Sequence, residues 1–320
     1  MDLKDQLFRK IKALNETIWE HRALLPMVEG WLDNFQPDDP GSPRSERLHA
    51  LHLLAQFMYF GSREIREMLR AVFRDLYKYP IVDTIRRKNN NTRDINFIKA
   101  EFSKHLQSTR FLGVGNPSES GTHLLYYFRQ ENGLPKTQFI HSHQIFKRYG
   151  QQEQTVLRSP EVRRYVFLDD FCGSGTQASD YSNEIVKDIK ELDSSIEVDY
   201  YMLFATRSGR DFVKNNTMFD RAECVLELDD TFKCFGDACH YFLEQHEAID
   251  KAFSLTTCRN YGLRLCPEHP LGFNDCQLLI GFHHNTPDNT LPIFWYDAPG
   301  PLPWTPLFKR YMKNDTWGTL

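Results

Sequence analysis

Residues 165–177 read Y-V-F-L-D-D-F-C-G-S-G-T-Q and bring together the side chains best suited to chemistry. Two adjacent carboxylates, Asp169 and Asp170, follow an apolar run. Gly173, Ser174 and Gly175 come next, then the hydroxyl of Thr176 and the amide of Gln177. Adjacent carboxylates can hold ribose hydroxyls or reach a phosphate-bound Mg2+. A glycine turn that opens a helix points backbone N–H groups inward and favours an anion such as a phosphate. A bare strand and turn with solvated acids is the plainer reading, but paired acids beside three small residues favour a ligand site.

Such a site needs a strand end to carry it. The run Tyr165 to Leu168 suits a buried parallel strand. Ligands of open α/β sheets bind at the carboxyl ends of such strands. A second segment has the same order of parts. Residues 111–115 (F-L-G-V-G) predict a short strand, 116–121 (N-P-S-E-S-G) a polar loop, and 122–130 a helix with Leu124, Leu125 and Phe128 on one face. Ser118, Ser120 and Gly121 can present hydroxyls and N–H groups to a second anionic group. Glu119 is an odd neighbour there unless Mg2+ intervenes.

The remaining chain divides by pattern. Leu7, Ile11, Leu14, Ile18 and Trp19 recur at helical spacing, so residues 3–35 are expected to be helical. Residues 36–44 form a breaker-rich loop. Two further helices carry Leu48 to Met58 and Ile65 to Leu76, and Pro80 is expected to end the second. A fourth over 94–107 would turn Ile95, Ile98, Phe102 and Leu106 inward. Residues 1–108 are therefore expected to be a helical region, and 109–320 an α/β domain.

Within 109–320 the pattern predicts strands at 137–146, 198–206 and 222–228, and a helix from Arg210. This order fits a doubly wound parallel sheet. Residues 147–160 read as a long polar loop holding Lys147, Arg148 and Arg158. Residues 276–282 and 291–295 predict two strands of a hairpin. Trp295, Tyr296 and Trp304 near it can pack in a core or stack on a base.

Bulk properties narrow the function classes. The chain has 320 residues, 41% hydrophobic and 26% charged, with a net charge of −4. General nucleic-acid binding is not expected from that balance. No apolar run is long enough for a membrane helix, and the N-terminus lacks the apolar core of a signal peptide. The seven cysteines lack framework or zinc spacing. A cytoplasmic protein is the expectation, with His283 and His284 a poor metal pair on a strand.

The acidic pair, three variable residues and then Ser174-Gly175 resemble the signature of type I phosphoribosyltransferases. The chain departs from that signature at Gln177, where the family usually has Thr; Thr176 can supply a hydroxyl instead. The resemblance implies that Asp169 and Asp170 contact the ribose hydroxyls of phosphoribosyl pyrophosphate and act through its bound Mg2+. It implies that Gly173, Ser174, Gly175, Thr176 and Gln177 hold the 5′-phosphate, and that Ser118, Ser120 and Gly121 face pyrophosphate. It also implies a mobile loop at 147–160 and a C-terminal hood over a nucleobase. With the helical N-terminal region, the chain resembles a bacterial phosphoribosyltransferase-like group from antiphage and other conflict systems. That resemblance implies partner proteins from a multi-gene cassette. Two alternatives stay open: a nucleotide sensor or scaffold without turnover, and an S-adenosylmethionine-dependent methyltransferase, since D-F-C-G-S-G-T also resembles the glycine loop of DNA amino-methyltransferases.

Overall fold

A computed structural model describes residues 2–38, 44–115, 120–150, 154–243, 246–299 and 302–311. The chain forms two compact units: Met1–Glu64 with Asp229–Leu320, and Ile65–Leu228. This division differs from the expected one at residue 108. The helical region does not stand alone; its parts are shared between the two units.

The first unit opens with α1 (Leu3–Thr17), α2 (Leu25–Leu32), α3 (Glu46–Leu54) and β1 (Met58–Phe60). The expected helical stretch over 3–35 is broken between α1 and α2, where Glu20 and His21 take left-handed backbone angles (φ 50° and 61°). Ser45 caps α3 by accepting from the Leu48 N–H.

The second unit begins as α4 (Ser62–Ala71) passes through a π-helical stretch, Val72–Lys78, into α5 (Tyr79–Lys88). Pro80 therefore does not end the helix as expected. The π turn resets the hydrogen-bond register, and Pro80 falls in the first turn of α5, where a missing N–H is tolerated. Next come α6 (Ile95–Gln107) and β2 (Thr109–Gly113). Asp94 caps α6, but none of its residues is buried, and Ile95 is 65% exposed, so the expected inward stripe only half-packs.

After β2 come α7 (Ser120–Glu131), β3 (Phe146–Tyr149), β4 (Gln154–Leu157) and β5 (Arg164–Cys172). The expected strand over 137–146 is replaced by two 3-10 turns. A reciprocal cap between His141 and Gln144 draws the chain into the second turn. Only Phe139 bridges β2, at Phe111. The expected polar loop at 147–160 contains the antiparallel pair β3–β4. The unit ends with α8 (Thr176–Tyr181), α9 (Lys187–Leu192), β6 (Glu197–Thr206), α10 (Arg207–Asn216) and β7 (Arg221–Leu228). A π-helical stretch, Ser182–Val186, joins α8 to α9.

Four parallel strands lie in the order β2-β5-β6-β7. Strand alternation sends their side chains to two covered faces. On one face Phe111 meets Tyr77, Phe128 and Phe139. On the other, Tyr165, Phe167, Val198, Tyr200 and Met202 pack with Ala178, Val186, Ile189 and Val213 from the helices after β5 and β6.

This topology decides where a ligand can sit. From β2 the chain crosses through α7 to Phe139, on the outer side of β2. It then returns past the other side of β2 to β5 and continues outward to β6 and β7. The winding reverses between β2 and β5, and in such sheets the crevice beyond the carboxyl ends at the reversal is the ligand site.

The first unit closes with α11 (Lys251–Leu265), β8 (Ile280–Phe282) and α12 (Pro292–Trp295). β8 pairs in parallel with β1. The expected C-terminal hairpin does not form. Residues 291–295 make a helical turn because Pro292 pre-sets the first helical position. Trp295 and Trp304 are buried, and their indole N–H groups donate to the carbonyls of Thr290 and Ile293. These indoles are core residues, with Trp304 set edge-on to Phe35. Among the described residues no helix is long and apolar enough to cross a membrane.

Candidate functional site

The pairing of β5 with β6 extends to Cys172↔Ala205, so Asp169 and Asp170 lie within the carboxyl-terminal half of the strand. Both are buried, at 7% and 8% exposure. Asp169 Oδ1 accepts the Asp170 N–H at 2.9 Å, and Asp169 Oδ2 accepts the Tyr200 hydroxyl at 2.7 Å. Burial, and then the neighbouring charge of Asp170, hold the Asp169 carboxyl well above the usual carboxylate range. Tyr200 is pushed upward too, first by burial and then by Asp169.

The glycine loop follows at once. Gly175 takes a left-handed backbone (φ 81°, ψ 0°) and caps α8. A β-carbon there would lie 2.8 Å from Phe212 and 3.0 Å from the Gly209 carbonyl oxygen. Ser174 and Thr176 pair their hydroxyls at 2.9 Å, and the Thr176 N–H points to Ser174 Oγ at 3.3 Å. Cys172 ends β5 and is buried. Burial pushes its thiol up to about 12.

Two anchors fix this loop from outside. Thr206 ends β6, donates its hydroxyl to the Gly173 carbonyl and accepts the Gly209 N–H at 2.9 Å. The same side chain thus caps α10 and pins the loop. The Tyr181 hydroxyl, on α8, donates to the Gly115 carbonyl at 2.7 Å. That bond spans the reversal point, joining the segment after β2 to the helix after β5.

Asp169, Asp170, Gly173, Ser174, Gly175, Thr176 and Gln177 therefore share one edge of the sheet. Ser120 and Gly121 are the first two residues of α7, which begins at the same edge. Ser118 and Glu119 lie outside the described residues. Arg207, with its side chain 51% exposed, bonds Glu227 at 2.7 Å, and Arg210 meets the same carboxylate. Lys147 and Arg148 lie on β3, where they pair in register with Val156 and Thr155. The roles of Tyr200, Tyr181 and Gly209 are absent from the sequence reading. Each depends on which strand or helix lies beside β5.

Among the described residues no group of three or more His, Cys, Asp or Glu side chains is placed to hold a metal ion. The acidic pair offers at most part of a Mg2+ shell, which suits an ion that arrives with a phosphate ligand.

A protein-family profile described as PRTase-CE matches residues 28–310, most of the chain. The chain belongs to the PRTase-CE family. Similar solved structures include a xanthine-guanine-hypoxanthine phosphoribosyltransferase from Helicobacter pylori, at 11% identity and a TM-score of 0.26, covering 54% of this chain and 86% of that one. A purine phosphoribosyltransferase from Pyrococcus horikoshii matches at 14% identity and 0.24, covering 53% and 87%. An orotate phosphoribosyltransferase from Aeropyrum pernix matches at 13% and 0.22, covering 41% and 77%. The family profile carries the assignment; these distant pairings add nothing to it. No curated protein matches the chain.

Proposed function

We propose that the second unit binds a phosphoribosyl compound, phosphoribosyl pyrophosphate with Mg2+ or a phosphoribosyl nucleotide, at the reversal between β2 and β5. The observation that carries this reading is the coincidence of three features at one sheet edge. They are the change of winding direction, the buried Asp169–Asp170 pair, and the glycine loop held by Thr206. In this reading Asp170 takes ribose hydroxyls, and the 173–177 loop takes the 5′-phosphate. Ser118, Ser120 and Gly121 face the pyrophosphate. Mg2+ would neutralise pyrophosphate charge while bound to the ligand.

Turnover would be displacement at the anomeric carbon, helped by positioning and by neutralising the leaving group. One observation favours retention without turnover: both Asp169 oxygens are already occupied by internal donors. A thermal-shift panel separates the readings. Stabilisation by phosphoribosyl pyrophosphate with Mg2+, lost in Asp170→Asn, supports the site. Release of pyrophosphate supports catalysis. Stabilisation by S-adenosylmethionine alone, indifferent to Mg2+, would overturn it.

A cytoplasmic effector role in antiphage defence, with partner proteins of a cassette, rests on family resemblance. Its test is phage plating on cells that carry the cassette with Asp170→Asn; unchanged protection would remove this chain's site from the role.

A further inference from the structure

In the second unit Ile85, 5% exposed, seats the end of α5, and Phe102, edge-on to Phe73 and Tyr77, seats the middle of α6. Between these anchors residues 87–91 and 93–97 are all exposed, and α6 buries nothing along its length. The segment is nevertheless ordered from within. Arg86 donates its Nε–H to the Thr92 carbonyl at 3.1 Å, and the Asn89 side-chain amide donates to the Ile85 carbonyl at 2.7 Å. The Thr92 N–H meets the Asn89 carbonyl at 3.0 Å. Asn90 and Asn91 complete the turn with left-handed backbones (φ 53° and 55°), which asparagine tolerates.

Its charge is one-sided. Residues 86–99 hold Arg86, Arg87, Lys88, Arg93 and Lys99 against a single acid, Asp94. Asp94 is occupied as the α6 cap, accepting the N–H groups of Asn96 and Phe97 at 2.9 and 3.1 Å. Arg87 pairs with Asp83 at 2.9 Å. Among the described residues Lys88, Arg93 and Lys99 meet no carboxylate. The whole chain carries −4, so this local excess runs against its own balance. Neighbouring cations repel one another, and no burial in this segment offsets that.

We infer that the turn between α5 and α6 is a contact surface for single-stranded nucleic acid. Arg86, Lys88, Arg93 and Lys99 match the phosphate backbone. The exposed amides of Asn90 and Asn91 suit unpaired base edges, and Phe97, 37% exposed, offers a ring for stacking. An acidic protein would answer the cations, but it does not call for a row of amides beside a ring. A turn already ordered by its own hydrogen bonds loses little freedom on binding. This inference does not rest on the phosphoribosyl reading of the glycine loop.

Fluorescence anisotropy on the full chain tests it, with labelled oligothymidylate and oligouridylate of about 16 nucleotides as probes. Affinity should fall with a log–log salt slope of about −3 between about 50 and 200 mM KCl, as about four phosphate contacts require. Lys88→Glu, Arg93→Glu and Lys99→Glu combined should weaken binding at least about tenfold, with circular dichroism unchanged. Phe97→Ala should weaken it about tenfold. Three reversals in the first unit, Lys4→Glu, Arg9→Glu and Arg259→Glu, should change it by less than about threefold. Either probe behaving in this way supports the surface, and the tighter one shows whether the strand is DNA or RNA. Equal losses in the two triple variants would overturn the proposal, as would a wild type that binds neither probe at about 50 mM salt. Preference for a duplex of the same length, or for poly-L-glutamate, would overturn it too.

Discussion

Gly209 lies against the Gly173 carbonyl so closely that a β-carbon at 209 would stand 2.2 Å from that oxygen. The turn after β6 and the glycine loop after β5 thus interlock through two bare backbones. Thr206 bonds to both sides of the contact.

Gly209→Ala should therefore force the glycine loop outward. The expected loss is about 1–3 kcal/mol of stability by overpacking, with ligand affinity falling alongside it. Gly175→Ala adds left-handed backbone strain of about 1–2 kcal/mol to its clash with Phe212. Urea unfolding gives the first quantity and calorimetry the second. Wild-type stability in both variants would show that the loop has room to spare.

A second set of charges lies buried away from the glycine loop. Asp199 is fully buried and pairs with Arg164 and Arg221, while the Tyr201 hydroxyl donates to it at 2.8 Å. It lies near the amino end of β6, opposite the edge that carries the glycine loop. Asp199→Ala leaves two arginines without their shared carboxylate, and should cost about 3–5 kcal/mol. Ligand affinity of the remaining folded protein should not move; a parallel loss would contradict the separation.

In the first unit, His49 makes stability pH-dependent. Its Nδ1 contacts the Ser45 carbonyl at 2.6 Å, and its Nε2 accepts the Asp250 N–H at 3.0 Å, so the folded form holds a neutral ring. Burial lowers its pKa from 6.5. The unfolded chain binds the proton more readily, so this contribution is whole above pH 6.5 and shrinks as pH falls from there toward the lowered folded value. Chemical unfolding at pH 7.5 and 5.5, on wild type and His49→Gln, checks the sign. The variant should show a smaller drop between the two.

The Cys172 thiol should resist alkylation. It is 3% exposed, and its pKa is pushed up to about 12. At pH 8 iodoacetamide should modify it at least about a hundredfold more slowly than in the unfolded chain, as read by peptide mass spectrometry. Fast labelling would mean that the end of β5 opens readily.

The glycine loop was legible because its signals are local: an apolar run, two acids and small residues in one stretch. The strand at 197–206 and the helix at 120–131 were legible for the same reason. What could not be read depended on partners far along the chain. Residues 137–146 alternate like a strand, yet the His141–Gln144 cap outcompetes that pattern. Residues 291–295 are apolar enough for a strand, but Pro292 and the buried indoles settle a helical turn. The bond from Tyr200 to Asp169 needs the register between two parallel strands, and no spacing in one strand reports it. The acids and the glycine turn could thus be named in advance, but the tyrosine that bonds Asp169 from the next strand could not.

The first unit is assembled from both ends of the chain, with all of Ile65–Leu228 threaded between them. Its β1–β8 pair joins Met58 to Ile280, and the Trp31 indole reaches the Ile293 carbonyl. A ribosome delivers the whole parallel sheet before those contacts exist. Domains mature as units during synthesis, at about 5–20 residues per second. The glycine-loop unit is therefore set to be born first, and the opening helices must wait, half-clothed, for their late-arriving partners.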